Sequence, residues 1–366
     1  MPEVRLVNVT KRYGRILAND HINLTIRDGE YVSVIGPSGC GKSTLIKSIA
    51  GIIEPDEGEI YIGGRKVNNI PIEDRGIGYV FQDIALFPHM TVWENITYGP
   101  NVKGFPPEET KMIAQEIIEM IKVSARIDAY PDELSGGTQQ KIAVARALMS
   151  RSSLMLLDEP LGALDLKVRA VLRYELRRIA KDLGITVLHV THDQEEAMSI
   201  SDRVVVMRKG RIVESGKPLQ LYMRPKNLFT ANFVGEANFL VGNIEKVSEE
   251  GLLIDLGDGL KVISTEAKGN IGDRVVVAFR PEFVVLGGKT DKNIFSGEIT
   301  RIVYSGSLVR ITVETPSGDE ILIKKSLRFG ESPPETGEKL SFSVPPENVL
   351  VYPYPEAGLH RELSLE

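Results

Sequence analysis

The nine residues GPSGCGKST, numbered 36–44, decide the fold of this chain of 366 residues. They satisfy the pattern G-x-x-x-x-G-K-[ST], in which glycines allow backbone N–H groups to face phosphate oxygens. An apolar run, EYVSVIG (30–36), precedes the pattern, and a stretch with helical spacing, KSTLIKSIAG (42–51), follows it. The segment therefore predicts a strand, a phosphate-binding loop and a helix whose positive N-terminal dipole favours the same anion.

Every residue of this loop is a candidate phosphate contact. The set comprises Gly36, Pro37, Ser38, Gly39, Cys40, Gly41, Lys42, Ser43 and Thr44. Lys42 is expected to bridge the outer phosphates, and Ser43 to supply an oxygen to Mg²⁺. A glycine turn that binds nothing is the alternative, which the flanking strand and helix disfavour.

Two carboxylates follow a second apolar run, LMLLDEP (154–160). Four apolar residues predict a buried strand, with Asp158 and Glu159 at its end, where both side chains are able to reach one ligand. Asp158 is expected to hold Mg²⁺ directly or through water, and Glu159 to act as the base that orients and polarises a water molecule. The alternative, Asp158 as a turn or helix cap, is disfavoured by the phosphate loop in the same chain.

Two further polar side chains lie at predicted strand ends. Gln82 ends GIGYVFQ (76–82), and His192 ends TVLHVTH (186–192). Ligands of open parallel sheets bind at the carboxyl ends of strands, so Gln82 is expected to reach the metal and the water, and His192 the outer phosphate. A lone histidine is more often structural, and His189, in the middle of the same strand, is interpreted in that way.

A second pair of glycines occurs in LSGGTQQK (134–141), far from the phosphate loop. The helical pattern KIAVARALM begins at once, so Ser135, Gly136 and Gly137 open a helix whose first turn carries no bulky side chain. Close backbone approach and the helix dipole again favour an anion. The sequence thus predicts two anion-binding helix ends in one chain.

Strands and helices alternate through the first part of the chain. Helical periodicity at 107–123, behind a proline and an acidic first turn, and at 168–184 separates apolar runs of the buried-strand type. This order predicts an α/β fold with a parallel sheet covered by helices. Beyond this part, short β-rich runs alternate with glycine and proline turns, which predicts an all-β region. We therefore divide the chain into residues 1–235 and 236–366.

The β-rich region repeats itself. GDRVVVAFRPEFVVL, from Gly272, aligns with GEKLSFSVPPENVLV, from Gly337, at a spacing of 65. The aligned positions also include Pro281 with Pro346, Glu282 with Glu347, and Val284 with Val349. We interpret the region as two related β units, two small barrel-like halves packed together, with chance similarity as the alternative.

Composition limits the functional classes. Hydrophobic residues make up 42% and charged residues 26%, as in ordinary globular proteins. No apolar run approaches the roughly 18 residues of a membrane-spanning helix, the N-terminus lacks a signal-peptide pattern, and the single cysteine, Cys40, fits a reducing compartment. The net charge of −6 consists of −7 in residues 236–366 and +1 in the remainder, which disfavours nucleic acid as a ligand of the β region. We expect a cytoplasmic protein that is soluble by itself.

Six motifs in order, GPSGCGKST, Gln82, LSGGTQQK, LMLLDEP, LGALD and His192, resemble those of the nucleotide-binding subunit of an ATP-binding cassette (ABC) transporter. The resemblance extends from residue 4 to about residue 230. It implies a P-loop NTPase with a RecA-like core and a helical subdomain at about 88–150, which binds ATP and Mg²⁺ and hydrolyses ATP. The remainder, including FRPEFVVL, resembles the OB-like (TOBE-type) regulatory domain of ATPases that import sugars, glycerol phosphate or polyamines. Within that group, the chain is similar to the maltose-type subunit.

The resemblance implies roles for further residues. Tyr13 matches an aromatic residue that stacks on adenine, with a surface tyrosine as the alternative. Asp165, in LGALD, matches the position that links the two active sites of a dimer. Ser135, Gly136 and Gly137 match a segment that caps the γ-phosphate bound by the partner subunit, so the functional unit is expected to be a homodimer.

The segment LSGGTQQK departs from the common pattern LSGGQ. Thr138 stands in place of the glutamine, and Lys141 stands where arginine is usual. The departure puts the polar contact of that glutamine in doubt, and Gln139 is a candidate substitute. We still expect ATP to drive dimerisation, because the serine and both glycines remain.

The loop after Gln82 is implied to bind a membrane partner. DIALFPHMTVWENITYGP (83–100) matches the segment that, with the helical subdomain, grips a cytoplasmic helix of the permease. The candidate groove residues, with a local hydrophobic core as the alternative, are Phe87, Pro88, Met90, Val92 and Trp93. The chain is thus expected at the inner face of the cell membrane, and an external solute-binding protein is an indirect partner.

The expected function is ATP-driven uptake of a solute, a sugar or a related compound, through the permease. A soluble ABC ATPase that acts on nucleic acid or ribosomes is the alternative, and the charge of −7 in the β region opposes it. A P-loop kinase or small GTPase is a third class. The LSGG segment and a glutamate directly after the metal-binding aspartate argue against that class.

Overall fold

The computed structural model describes residues 2–150, 152–162, 164, 166–266, 269–287, 292–327 and 334–364. The chain divides into two compact units, Met1–Met223 and Arg224–Glu366. Each unit has its own sheets and hydrophobic core.

The first unit combines two sheets with helices. Its strands are β1 (Val4–Tyr13), β2 (Ile16–Ile26), β3 (Tyr31–Ile35), β4 (Glu57–Ile62), β5 (Arg65–Lys66), β6 (Ile77–Val80), β7 (Leu154–Asp158), β8 (Thr186–Val190), β9 (Arg203–Arg208) and β10 (Arg211–Gly216). Its helices are α1 (Lys42–Ala50), α2 (Val92–Val102), α3 (Pro107–Met120), α4 (Gly136–Met149), α5 (Leu166–Asp182), α6 (Gln194–Ile200) and α7 (Pro218–Met223).

The larger sheet has the order β10-β9-β3-β8-β7-β6. Its strands run parallel except β10, which pairs antiparallel with β9. In β7, Leu154 and Leu156 belong to the core on one face, whereas Met155 and Leu157 belong to the core on the other. A parallel strand covered on both faces needs apolar residues at every position. The predicted parallel sheet is confirmed, and the carboxyl ends of β3, β6, β7 and β8 meet at one edge.

A second, antiparallel sheet has the order β2-β1-β4-β5. It shares one hydrophobic core with α1 and one face of the parallel sheet. The register between β1 and β2 shifts at several points, which interrupts strict alternation of apolar and polar residues. A period of two is the main sequence signal for such a strand, so the patterns analysed above do not predict this sheet.

Helices α2, α3 and α4 pack together within the first unit. Thr91 and Glu94 form a capping box at the start of α2, and α3 begins with Pro107 followed by acidic residues. Helix α4 begins at Gly136 with Ser135 as its N-cap. These start signals are local, which is why the predicted helices at 107–123 and after LSGG lie close to the observed ones.

The second unit is built from antiparallel strands. They are β11 (Asn238–Ser248), β12 (Gly251–Gly257), β13 (Leu260–Ser264), β14 (Arg274–Phe279), β15 (Val285–Leu286), β16 (Ile294–Ser305), β17 (Leu308–Glu314), β18 (Glu320–Ser326), β19 (Lys339–Ser343) and β20 (Leu350–Pro353). Its helices are α8 (Leu228–Phe233) and α9 (Leu359–Leu363), and 3₁₀ turns occupy Pro281–Phe283 and Pro346–Asn348.

The two sequence repeats exchange their last strands. One sheet has the order β13-β12-β11-β14-β20, and the other has the order β18-β17-β16-β19-β15. After β14 the chain crosses at Pro281 to pair β15 with β19, and after β19 it crosses at Pro346 to pair β20 with β14. Both sheets contribute to one hydrophobic core. To the interpretation as two barrel-like halves packed together, the structure therefore adds that the halves exchange their last strands around a common core.

Two asparagines fasten the sheets to each other in matching ways. Asn238, at the start of β11, accepts from Leu322 N at 2.7 Å and donates to Leu322 O at 2.9 Å. Asn293, just before β16, accepts from Ile263 N at 2.6 Å and donates to Ile263 O at 2.8 Å. Each side-chain amide thus pairs with the edge strand of the other sheet as a peptide group would.

The boundary between the units lies twelve residues before the predicted position of 235. Helix α8 belongs to the second unit because Leu228 and Ala231 pack against its strands β14 and β20. Arg280, buried at 2% exposure, donates to the carbonyl oxygens of Ala231, Gly235 and Glu236. Short helices such as α8 have a weak sequence signal. The change from helical to β-rich sequence is therefore apparent only where the strands begin.

Candidate active site

The phosphate loop lies between β3 and α1 and closes on itself through Lys42. The Lys42 ammonium group donates to Gly36 O at 2.7 Å and to Pro37 O at 3.0 Å. A Cβ atom at Gly36 would lie 2.3 Å from Met207 O, and one at Gly41, where φ is +104°, would lie 2.0 Å from Ala18 O. The backbone is thus packed so closely that neither position accepts a side chain. This shape leaves the N–H groups at the start of α1 for an anion.

Ser43 and Asp158 bring two oxygen donors together beside this loop. Ser43 Oγ donates to Asp158 Oδ1 at 3.3 Å, and Tyr79 Oη donates to Asp158 Oδ2 at 3.0 Å. Burial raises the pKa of the Asp158 carboxyl above its usual range, although the Tyr79 hydrogen bond opposes the shift. Hydroxyl and carboxylate oxygens are the ligands that Mg²⁺ prefers, so this pair fits the expected metal. Tyr79 was not among the predicted site residues, and its only sequence signal is its place one residue before the end of β6.

Glu159 lies between Gln82 and His192. Its Oε2 accepts from Gln82 Nε2 at 3.4 Å and lies 3.0 Å from His192 Nδ1. Glu159 has a φ of +47°, rare for a residue with a side chain, and its N–H donates to Val190 O at 2.9 Å. Sequence reasoning places Gln82 and His192 at strand ends, whereas the structure places each two residues beyond its strand. The two loops after β6 and β8 therefore bring these side chains to the carboxylate.

His189 and the loop cysteine are buried. His189 is 0% exposed within β8, and its Nδ1 lies 3.0 Å from the hydroxyl oxygen of Tyr31. Burial lowers the pKa of His189, which favours the neutral imidazole. Burial raises the pKa of the Cys40 thiol, so the neutral thiol is favoured inside the loop.

The serine and glycines of LSGGTQQK begin α4. Ser135 Oγ accepts from Thr138 N at 3.3 Å and lies 2.9 Å from Thr138 Oγ1. A Cβ atom at Gly137 would lie 2.6 Å from a methyl carbon of Val168, whereas one at Gly136 would lie 3.7 Å from Leu164. A side chain at Gly137 would therefore force Val168, at the start of α5, to shift.

The two unusual residues of this segment have partners in the chain. The hydroxyl of Thr138 is paired with Ser135. Lys141 donates to Ile121 O at 3.1 Å and forms an ion pair with Glu175 at 3.0 Å. The amide nitrogen of Gln139 donates to Pro131 O at 2.7 Å and to Leu134 O at 3.2 Å. The amide nitrogen of Gln139 is thus held by backbone carbonyls, and its role in place of the missing glutamine stays a prediction.

The resemblance also implies roles for Tyr13 and Asp165. Tyr13 ends β1 and is 46% exposed, and the Lys11 ammonium group lies 5.6 Å from the centre of its ring. An exposed ring at a strand end is open to stacking, and stacking on adenine stays a prediction. Asp165 lies outside the described residues.

The segment 83–100 is organised by a buried asparagine. Asn95 accepts from Phe87 N at 2.9 Å and donates to the carbonyl oxygens of Phe87, Met90 and Thr91 at 3.0 to 3.1 Å. The Phe87 ring packs against Tyr98, with 4.6 Å between ring centroids. Val92 is 1% exposed and belongs to the core, so it is not part of an open groove.

Comparison with known proteins agrees with this geometry. Residues 19–162 match the model of the ABC transporter family, and residues 264–351 match that of the TOBE domain. The chain belongs to the ATP-binding proteins of importer-type ABC transporters, which are ATPases. It is 40% identical over 339 residues to the spermidine/putrescine import ATP-binding protein PotA of Rubrobacter xylanophilus, with 90% of each chain covered. It is 39% identical over 361 residues to PotA of Thermobifida fusca, covering 96% of this chain and 94% of that relative.

Solved structures match the first part of the chain. A dimeric bacterial ABC transporter cassette matches with a TM-score of 0.53 and 36% identity over 59% of this chain and 98% of that one. A subunit of an ABC transporter complex from Clostridium perfringens matches with a TM-score of 0.56 and 28% identity, covering 60% and 89% of the two chains. The predicted P-loop ATPase fold, the TOBE-type domain and ATP as the bound nucleotide are thereby confirmed.

One expectation changes with these findings, and one alternative stays disfavoured. The curated relatives named above are polyamine importers, so the expectation of sugar transport is not supported. A role on nucleic acid or ribosomes is not favoured either. Within the described residues, helices long and apolar enough to cross a membrane are absent.

Proposed function

We propose that this chain is the ATP-hydrolysing subunit of a polyamine importer, which acts as a homodimer beneath two membrane permease subunits. The similarity to spermidine/putrescine import proteins along at least 90% of the chain supports this solute class. The chain would therefore work at the inner face of the cell membrane. A solute-binding protein outside the cell would deliver the polyamine to the permease.

The contacts of Glu159 carry the hydrolysis part of the proposal. A single carboxylate oxygen is contacted by Gln82 and His192, and it belongs to the residue directly after Asp158. Glu159 is then the base that accepts a proton from the attacking water, and Gln82 orients that water. His192 contacts the outer phosphate and holds Glu159 in place.

Ser43 and Asp158 would hold Mg²⁺, with Gln82 as a further ligand. The ion supplies electrophilic stabilisation of charge on the outer phosphates when it is bound with ATP. Lys42 would exchange its carbonyl partners for a phosphate oxygen, because its ammonium group already lies inside the loop.

The proposed homodimer rests on the second glycine pair, Gly136 and Gly137, at the start of α4. Ser135 and the N-terminus of α4 would cap the γ-phosphate bound to the partner subunit, with Asp165 linking the two sites. One structural relative is a dimeric cassette. ATP would then hold the dimer together, and hydrolysis would release it and move the permease.

The hydrolysis proposal is tested with Glu159→Gln in the full chain. The variant should bind ATP with unchanged affinity, release phosphate at least about 100-fold more slowly and form a dimer with ATP and Mg²⁺. Light scattering across a range of protein concentrations measures the dimer. Phosphate release at the wild-type rate would refute Glu159 as the base, and a variant that stays monomeric would refute the capping of ATP by a partner subunit.

The solute class is tested separately in cells. Deletion of the gene should abolish uptake of labelled spermidine or putrescine, and the wild-type gene, but not the Glu159→Gln gene, should restore it. Labelled maltose serves as the comparison solute. Loss of maltose uptake with intact polyamine uptake would overturn the proposed class.

A further inference from the structure

Arg169, in the first turns of α5, joins two loops of the active site. Its Nη2 donates to Gly162 O at 3.2 Å and to Leu164 O at 3.0 Å. Its Nη1 donates to Asp193 Oδ2 at 3.2 Å. The side chain is 17% exposed, so these contacts are largely shielded from water. One guanidinium group therefore holds both the turn after β7 and the loop after β8.

The two loops also contact each other directly, through Glu159 after β7 and His192 after β8. Gly162 N–H donates to Glu159 O at 3.2 Å, so the carbonyl that Arg169 binds belongs to the turn that presents Glu159. Asp193 directly follows His192, whose Nδ1 lies 3.0 Å from Glu159 Oε2. The contacts form a closed ring that runs from Glu159 through Gly162, Arg169, Asp193 and His192 back to Glu159.

Asp193, the acidic partner of Arg169, is held in place by further hydrogen bonds. Asp193 caps α6, accepting from Glu196 N at 3.0 Å, and its own N–H donates to Thr191 Oγ1 at 3.0 Å. Burial acts to raise the pKa of Asp193, but the hydrogen bonds from Glu196 N–H and Arg169 outweigh it and keep the pKa below its usual range. Asp193 is thus charged at neutral pH, as an ion pair with Arg169 requires.

We propose that Arg169 is a positioning residue that locks the Glu159 turn to the His192 loop, so that the base and the phosphate contact move as one unit. This inference rests on the proposed roles of Glu159 and His192. Hydrolysis depends on the placement of a base to within about an ångström, whereas the hydrogen bonds of Arg169 lie outside the phosphate loop. The loss of Arg169 should therefore affect turnover far more than ATP binding.

A neighbouring arginine provides a matched control. Arg173, one turn further along α5, pairs with Glu195 at 3.0 Å and is 10% exposed. It also joins α5 to α6, but through Glu195 and Ser199, which belong to neither loop of the ring. Its removal breaks an ion pair at the same helix junction, one in which Glu195 is 82% exposed, and leaves the hydrogen bonds of the ring in place.

The test compares Arg169→Ala, Arg169→Lys and Arg173→Ala in the full chain, with kcat and KM for ATP and the melting temperature measured for each. Arg169→Ala should lower kcat about 10- to 100-fold, with KM changed by less than about threefold. Arg169→Lys should recover part of kcat, because an ammonium group is able to reach fewer of the three oxygens at once. Arg173→Ala should lower the melting temperature to a similar extent and keep kcat close to the wild-type value.

Asp193→Asn, which preserves the cap of α6, tests whether Arg169 acts through Asp193. In the Arg169→Ala background it should add no further loss of kcat, because residues in one network have non-additive effects. Wild-type kcat in Arg169→Ala, an equal loss in Arg173→Ala, or fully multiplicative losses in the double variant would overturn the proposal. Glu159→Gln distinguishes a failure of this inference from a failure of the proposed function. Unchanged hydrolysis in that variant would refute Glu159 as the base, whatever the result for Arg169→Ala.

Discussion

At the scale of single residues, the glycines of the phosphate loop differ in what they require. Gly39 and Gly41 both have positive φ angles, +76° and +104°. A Cβ atom at Gly39 would meet nothing within 4 Å, whereas one at Gly41 would lie 2.0 Å from Ala18 O. The backbone conformation alone favours glycine at the first position, and both conformation and close packing require it at the second.

Alanine substitution separates these two effects. Gly39→Ala should lower the free energy of unfolding by about 1 to 2 kcal/mol, which is the cost of a left-handed residue. Gly41→Ala should lower it by about 3 kcal/mol or more, because a backbone carbonyl must also move. Urea unfolding, followed by a probe in the first unit, measures both. Equal losses in the two variants would show that the contact with Ala18 carries no cost.

The buried carboxyl of Asp158 makes stability depend on pH. Burial raises its pKa in the folded chain above the ordinary 3.8, so the folded chain holds a proton that the unfolded chain releases. Stability is therefore lost as pH rises from the ordinary pKa to the raised one, and it stays lower above that window. Asp158→Asn should melt at a higher temperature than wild type at neutral pH without nucleotide. The difference should shrink as pH falls toward 3.8, and a variant that melts lower at neutral pH would contradict the argument.

The residues of the site differ in how far the sequence reveals them. Lys42, Asp158 and Glu159 are predictable because each lies inside a motif whose strand and loop are local in the chain. Tyr79 and Arg169 are not, because their partners lie 79 and 24 residues away along the chain. Only the pairing of β6 with β7, and the packing of α5 beside α6, brings these groups together.

At the scale of elements, one side chain determines the shape of the loop before α2. Asn95 is fully buried and bonds to three backbone positions of that loop. A side chain of α2 thus replaces the regular hydrogen bonds that a loop lacks. The half-buried Phe87 and the exposed Tyr98 depend on this support for their arrangement.

Asn95→Ala should remove the support without changing the nucleotide site. The backbone groups of the loop that Asn95 binds would lose their partner, which should lower the free energy of unfolding by about 1 to 3 kcal/mol. Hydrogen exchange should rise at residues 87–91, while ATP hydrolysis by the chain alone stays near the wild-type rate. Asn101→Ala is the control, because Asn101 is exposed and its side chain makes a single long bond of 3.4 Å to Thr97. Similar exchange in both variants would refute the role of Asn95.

At the scale of the whole molecule, the order of strands in the second unit differs from their order in the chain. The sequence repeat at a spacing of 65 predicts two related segments, and the paired 3₁₀ turns occupy equivalent positions. The repeat contains no information on which sheet receives the strand that follows each turn. That choice depends on contacts across the common core, which periodicity does not describe.

Shortening the chain at its C-terminus tests the exchange of strands between the two sheets. A chain ending at Val349 lacks β20 and should lose at least about tenfold of the hydrogen-exchange protection in β14, which lies 70 residues earlier, because β14 is left at a sheet edge. Strand β19, much closer to the cut, should keep its protection because it pairs with β15 and β16. A chain ending at Gly358 loses only α9 and should retain protection in both strands. Loss confined to β19 would contradict the exchanged topology.

The exchange also determines what one repeat would be by itself. A polypeptide that ended at Leu286 would hold β11 to β14 as a sheet and carry β15 with no place in that sheet. Two copies would satisfy each other by trading this last segment, which is the arrangement of a domain-swapped dimer. The second unit therefore corresponds to a domain-swapped dimer formed within a single polypeptide, in which the first repeat is joined to the second near Asn293.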